Sequence, residues 1–266
     1  MDAPRDAPGD ELNAAGVSFQ SGVCGAHDCA ELLTEILQQL KRIDELPRTM
    51  AEINRGPTFR HFLPYSTCPG FVETEPTNRY QVMMPISPAM TAVIRLVLQG
   101  KVGTILASAL GSDAVVSEIT VISSDPGAPA QGIHSDGDWN EASPRVITMF
   151  LALHDILEQT LGPTQFWPDT HAPRCFPDGR WLPPTEALGR DRGGGVWFPL
   201  NAGDAVLMDS TTWHHGGGNT SNAKRTLLSV SFAACPPPLA AMAQQATRRT
   251  GEGPEAGKLL RIEDFL

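Results

Sequence analysis

The sequence predicts a mainly β fold with helices packed outside it, of the double-stranded β-helix or jelly-roll kind. Apolar residues recur at helical spacing mostly before residue 111, whereas short β-branched runs parted by turns crowd residues 114–233. The chain holds 25 glycines and 23 prolines in 266 residues, about 18% against roughly 12% on average, which favours turn-rich β structure. Two histidine-bearing segments, His134-Ser135-Asp136 and Trp213-His214-His215-Gly216, lie about 80 residues apart. A jelly roll brings such distant strands together at the mouth of a flattened barrel. The length suits one such domain with a substantial core, and neither a repeat nor a linker divides it, so residues 1–266 are expected to form a single domain.

The elements follow in chain order. Residues 1–16 are rich in Asp, Pro, Ala and Gly, which predicts disorder. Residues 27–46 place Leu32, Leu33, Ile36, Leu37, Leu40, Ile43 and Leu46 on one helical face, an amphipathic helix for the outside of a sheet. Residues 64–76 read as irregular and residues 79–84 as a short strand closed by Pro85. Residues 87–110 give one or two helices broken around Gly100 and ended by Gly111. Strands are then expected at 114–123, at 131–136 after the turn 125–129, at 145–154 as an apolar central strand, at 162–167, at 195–200, at 204–209 and at 226–233. Between them, residues 171–195 form a long Pro/Gly-rich excursion; a loop of that length is commonly functional, and an active-site lid is expected. Residues 239–248 read as helical, and the terminal KLLRIEDFL is expected to dock on the surface.

Composition excludes several classes. A net charge of −10 opposes a nucleic-acid surface, which needs a basic face. No apolar run approaches the roughly 20 residues of a membrane span. The first residues lack the basic and apolar regions of a secretory signal. The five cysteines (24, 29, 68, 175 and 235) are scattered, odd in number and free of CxxC spacing, so neither a disulfide framework nor a zinc-thiolate site is expected. A reduced, cytoplasmic setting follows. Oligomeric state stays open between monomer and dimer.

His134 and Asp136 stand at i and i+2, and on a strand both side chains leave one face. Alone, an H-x-D in a polar, glycine-containing stretch is also what a surface turn looks like, and His214 beside Trp213 could be an ordinary core histidine. Together they supply two imidazoles and a carboxylate, a set that covers one face of a ferrous ion and leaves the opposite positions open. Glycines 216–218 let backbone approach closely. Arg225 lies eleven residues after His214, and its guanidinium suits a co-substrate carboxylate. A surface salt bridge is the plainer reading of the same arginine.

Residues 126–139 (PGAPAQGIHSDGDW), 162–171 (GPTQFWPDTH) and 203–225 (GDAVLMDSTTWHHGGGNTSNAKR) resemble the phytanoyl-CoA dioxygenase-like family, iron(II)- and 2-oxoglutarate-dependent oxygenases, in matching order and spacing. The likeness spans residues 79–234. It implies a jelly-roll core over that stretch and iron held by His134, Asp136 and His214, with His215 pointing away. It further implies 2-oxoglutarate gripped by Arg225, with Gln131 and Thr164 beside it, and dioxygen as oxidant, ascorbate being a supporting reductant. Trp139, Gln165, Arg79 and Tyr80 fall on family segments that face a substrate pocket. Some members carry Ser two residues after the distal histidine, where it touches the co-substrate; Gly216 stands there in this chain and has no hydroxyl to offer, so the co-substrate either does without that partner or finds it in another residue. Resembling halogenases replace the carboxylate with a small residue, so Asp136 argues against halogenation.

The expected function is oxidation, foremost hydroxylation, of a small organic substrate with release of succinate and carbon dioxide. Two other classes compete: an idle jelly roll that binds metal or 2-oxoglutarate, and a zinc hydrolase using the same three ligands.

Overall fold

The computed structural model describes residues 9–44, 72–75, 78–84, 87–141, 143–234 and 261–262. Their order is α1 (Asp10–Ala15), β1 (Val17–Gln20), α2 (Ala26–Asp44), β2 (Val72–Glu75), β3 (Arg79–Met83), α3 (Pro88–Gln99), α4 (Lys101–Leu110), β4 (Val115–Ser124), β5 (Val146–Ala152), β6 (Thr164–Trp167), α5 (Glu186–Asp191), β7 (Ala205–Asp209), β8 (Trp213–Gly216) and β9 (Arg225–Ala233). Seven strands form one antiparallel sheet in the order β1-β7-β5-β9-β4-β3-β2, and β6 and β8 form a smaller second sheet. This is the jelly-roll arrangement the sequence predicts.

Period-two alternation decides what each face of the large sheet meets. On β9, Leu228, Val230 and Phe232 point one way, into the main apolar cluster. Leu32, Ile36 and Leu40 of α2, Met90, Ile94 and Leu98 of α3, and Ile105 and Leu106 of α4 meet them there. The alternate residues Arg225, Ser229 and Ser231 line a cavity on the other face. On β5 the same rule sends Ile147, Met149 and Leu151 to the helices and Thr148 and Phe150 to the cavity. β5 pairs with both β7 and β9, the central position its apolar run predicts.

The helices start and break where the sequence signals it. The Ser87 hydroxyl accepts from the Met90 amide and Pro88 occupies the first turn of α3. α3 and α4 meet at Gly100 with a bend of 74°. The turn is tight: a Cβ on Gly103 would fall 1.7 Å from the Leu98 carbonyl oxygen. Among the described residues, no single helix is long and apolar enough to cross a membrane.

Several expectations need correction. Residues 10–15, expected disordered, form α1, and Leu12 is fully buried in the main cluster; one well-placed leucine outweighs the polar composition around it. Residues 1–8 lie outside the described residues. β1 is a real edge strand paired with β7, although it is too short and mixed to announce itself. Residues 72–75, read as irregular, pair with β3. Residues 131–136 form no strand beyond a single bridge at His134, and residues 195–200 form only the bridges at Val196 and Leu200. At the C-terminus Ile262 is fully buried and its amide donates to Ala114, a tighter attachment than surface docking. The helix expected at 239–248 lies outside the described residues, as do Cys68 and Cys235.

Residues 171–195, expected as a lid, face the cavity only in part. Of these, His171, Ala172 and Arg174 line it. The remainder folds against the outer face of the small sheet, where Phe176, Trp181, Leu182 and Leu188 pack on Trp167 and Trp213. The Trp213 indole donates to Leu182, the Trp181 indole to Thr170, and the Arg192 guanidinium to Asp169 and Cys175. Aromatic burial and satisfied carbonyls hold the segment as an outer buttress of β6 and β8.

Candidate metal centre

His134 and His214 face each other as a reciprocal backbone pair. The His134 amide donates to the His214 carbonyl at 2.9 Å, and the His214 amide donates back at 2.8 Å. One antiparallel bridge thus joins residues 80 positions apart and sets both imidazoles side by side, ring centroids 4.3 Å apart. Asp136 arrives differently. It lies in a bend, not on a strand, held by its own amide and that of Gly137, both donating to Ser210. Its carboxylate lies 3.5 Å from His214 Nε2 and 3.9 Å from His134 Nε2. One ligand atom from each of the three residues falls within 4.8 Å of the others.

Each imidazole is also fixed in the tautomer that a metal requires. His134 Nδ1 donates to the Gly132 carbonyl at 2.9 Å, and His214 Nδ1 donates to the Thr212 carbonyl at 3.0 Å. A carbonyl only accepts, so Nδ1 carries the proton and the Nε2 lone pair is left toward the centre. Burial alone would push His214 down, but the Asp136 carboxylate beside it wins and raises it above the ordinary histidine value. Burial alone would push Asp136 up, yet His214 and then His134 hold it below the usual carboxylate range. The donor set is thus balanced for a cation at its middle.

The small sheet decides between the two adjacent histidines. β8 sends His214 and Gly216 inward and Trp213 and His215 outward. His214 lies between the rings of Phe150 and Phe166, each 6.4 Å away. His215 Nδ1 instead donates to the Gln131 carbonyl at 2.9 Å, and its Nε2 is 3.1 Å from the Gln165 side-chain amide. Burial keeps His215 below its ordinary value.

The cavity that holds the triad is also lined by Arg79 and Arg225. Arg79, Ser124 and Arg225 stand in one cross-strand row of β3, β4 and β9. Arg225 is fully buried. Its guanidinium donates to the Gly162 carbonyl and, at 3.0 Å, to the Ser124 hydroxyl, while its Nε has no hydrogen-bond partner. Among the described residues no carboxylate pairs with it. Burial, with the Arg79 guanidinium nearby, pushes it down to about 9. A buried cation without a counter-charge costs several kcal/mol, and a carboxylate ligand removes that cost. Arg79 Nη2 donates to the carbonyls of Pro129 and Gly217, both at 2.8 Å.

Gly216 explains how Arg79 fits. A Cβ there would fall 2.1 Å from Arg79 Nη1 and 2.6 Å from Gln131 Oε1. The side chain missing at this position therefore leaves room for a guanidinium. Gln131 Oε1 accepts from the Gly216 amide at 2.7 Å, which locks the first segment to β8.

Of the other expected pocket residues, Gln131, Thr164, Trp139 and Arg79 line the cavity. Tyr80 and Gln165 do not. Tyr80 alternates with Arg79 and packs on the helix-side cluster. Gln165 alternates with Thr164 and serves His215 on the outer face. Both errors come from assigning neighbours on a strand to a single face. Sequence reasoning missed Ser124, Phe150, Asn13 and the Arg145–Asp209 ion pair at 2.8 Å; Ser124 anchors Arg225, and the others line the same cavity of about 1240 Å³. None carries a motif; only the register of the finished sheet brings them there.

A jelly roll with this centre and a buried arginine in the same cavity defines the class of iron- and 2-oxoglutarate-dependent enzymes. Within that class the profile of the phytanoyl-CoA dioxygenase (PhyH) family matches residues 23–227, and the chain belongs to that family. Solved structures agree in fold. The non-heme alpha ketoglutarate dependent epimerase SnoN from nogalamycin biosynthesis, in complex with Fe3+, alpha ketoglutarate and nogalamycin RO, has TM-score 0.59 and 18% identity over 85% of this chain and 82% of its own. The carbocyclase SnoK from the same biosynthesis has TM-score 0.55 and 15% identity over 85% and 82%. EvdO2 from Micromonospora carbonacea var. aurantiaca, complexed with 2-oxoglutarate, has TM-score 0.55 and 18% identity over 89% and 94%.

Proposed function

We propose that this protein uses ferrous iron, 2-oxoglutarate and dioxygen to oxidise a C–H position of a small organic substrate, with hydroxylation as the leading outcome. One observation carries the reading. A single cavity is lined both by a triad whose imidazoles are locked in the metal-binding tautomer and by a buried, uncompensated Arg225. A zinc hydrolase needs no buried cation in its metal cavity, and release of succinate under oxygen separates the oxygenase from an idle barrel that binds 2-oxoglutarate.

His134, Asp136 and His214 would hold the iron. Iron bound there with 2-oxoglutarate would supply dioxygen activation, with oxidative decarboxylation of the 2-oxo acid to succinate and carbon dioxide coupled to oxidation of the substrate. The chain's own residues do the rest. Arg225 grips the distal carboxylate of 2-oxoglutarate, with Ser124 holding the guanidinium in place. Arg79 adds positive charge at the same end, and Thr164 and Gln131 border it. Phe150 and Ile122 give the neighbourhood of the centre an apolar floor that excludes water. Trp139 forms a wall on the substrate side. Similar structures are named an epimerase and a carbocyclase, so this fold carries outcomes other than hydroxylation, and we assign the choice to how the substrate is placed.

Anaerobic reconstitution with iron(II) and 2-oxoglutarate tests the reading. The visible absorption band of the iron–2-oxoglutarate chelate should appear, and Arg225→Ala should weaken it. Oxygen should then release succinate. A protein that binds zinc, hydrolyses esters and forms no chelate band with iron would overturn the assignment.

A further inference from the structure

The cavity changes character along the strands. Beside the metal centre its floor is Phe150 of β5 and Ile122 of β4. Farther out the register aligns Glu118, Ser231 and Thr148 across β4, β9 and β5. Alternation would accept valine or leucine at all three positions, as it does on the helix side of the same strands. Here they are polar and face the cavity. The Thr148 and Ser231 hydroxyls are 3.0 Å apart, and the Gln81 amide donates to Glu118 at 3.2 Å. At the far end Arg145 pairs with Asp209 and also donates to the Asn13 side chain at 2.7 Å.

From this outer chamber we propose the substrate class: a polyhydroxylated, glycoside-like molecule, and not a fatty acyl thioester. The proposal rests on the oxygenase reading above and specifies what its site accepts. Thr148 and Ser231 already bond each other and Glu118 already accepts from Gln81, so what an acyl chain laid over this row would strip of water is the remaining capacity of the Glu118 carboxylate and the Ser231 hydroxyl, a loss of roughly tenfold in affinity or more. A sugar offers hydroxyls that both donate and accept, which suits a wall made of hydroxyl, amide, carboxylate and guanidinium groups. Trp139 supplies a flat apolar face for the C–H side of a sugar ring. Arg145 is already paired with Asp209, so the phosphates of a coenzyme A thioester in the outer chamber would meet the carboxylates of Glu118, Asp138 and Glu141 against the guanidinium of Arg174, with Arg79 and Arg225 left to the 2-oxoglutarate end. The volume of about 1240 Å³ takes an oligosaccharide together with 2-oxoglutarate.

The test is ligand-observed saturation-transfer NMR on the full chain, loaded with zinc and 2-oxoglutarate so that no turnover occurs. The probes are sucrose, trehalose, maltose and raffinose on one side and octanoyl-CoA on the other. We expect saturation transfer to at least one saccharide. The isosteric Thr148→Val and the small Ser231→Ala should weaken its binding by roughly tenfold or more, with 2-oxoglutarate affinity unchanged. No saccharide bound, saccharide binding indifferent to both substitutions, or octanoyl-CoA bound in competition with the saccharide would each overturn the substrate class. Loss of 2-oxoglutarate binding with saccharide binding intact would instead strike the oxygenase reading and leave the chamber's chemistry standing.

Discussion

Gly216→Ala is the most informative single change. The new methyl would overlap Arg79 Nη1 at 2.1 Å and Gln131 Oε1 at 2.6 Å, both far inside van der Waals contact. The guanidinium is the movable partner, yet its Nη2 is tied to two carbonyls at 2.8 Å each. A hydrogen bond from a charged donor contributes roughly 1.5–3 kcal/mol. Losing one of the two, with partial recovery of the other, costs about 2 kcal/mol. For a chain of this size that lowers the melting temperature by about 4–8 °C. Moving a positive charge away from the carboxylate end should also weaken 2-oxoglutarate by on the order of tenfold. The assays are thermal denaturation and titration of the anaerobic chelate band. In the double variant Gly216→Ala/Arg79→Met the methyl has no guanidinium to displace, so the two costs should be strongly non-additive. Unchanged melting and unchanged 2-oxoglutarate affinity in Gly216→Ala, or strict additivity in the double variant, would refute the reasoning.

His134→Ala, Asp136→Ala and His214→Ala should each abolish iron binding by metal analysis and all succinate release, whereas His215→Ala should retain iron; the reverse pattern for the two adjacent histidines would reassign the ligand. Arg225→Ala should raise the 2-oxoglutarate requirement by roughly 30-fold or more, because truncating one partner of a buried charge pair costs about 2–5 kcal/mol; an unchanged apparent KM would remove it from the site. Leu12→Ala should destabilise the fold by roughly 2–5 kcal/mol in chemical denaturation, and a silent substitution would mean that α1 does not pack. Burial holds His171 below its ordinary value of 6.5, with Asp209 opposing more weakly. The unfolded chain therefore takes up this proton first on acidification, and stability should fall as pH drops below about 6.5. That acid loss should shrink in His171→Gln, and an identical pH profile would show that another group governs it.

The jelly roll was legible because it rests on short-range rules. Alternation on β5 and β9, capping at Ser87 and the break at Gly100 are written in adjacent residues. The triad was legible for another reason: chemistry restricts which side chains hold iron, and few histidines compete for the role. What failed was everything decided by register. Tyr80 and Gln165 sit beside true cavity residues but on the opposite face. Asp136 converges correctly although it lies on a bend and not on the strand expected for it. α1 was missed because composition averages over residues, while burial of Leu12 depends on one. Residues 171–195 look like free loop by their Pro and Gly content, and only the aromatic surface of Trp167 and Trp213, invisible as a target in the sequence, explains why they lie down.

The reciprocal pairing of His134 with His214 divides the labour among the three ligands. Two of them are clamped by main-chain bonds whatever stands at their neighbours, so their spacing is inherited from the architecture and needs no ion to establish it. The third hangs from a bend that grips only through its backbone amides. Position 136 can therefore be exchanged without unpicking a strand, and any retuning of the metal's chemistry in a descendant of this chain has an open route through that one residue.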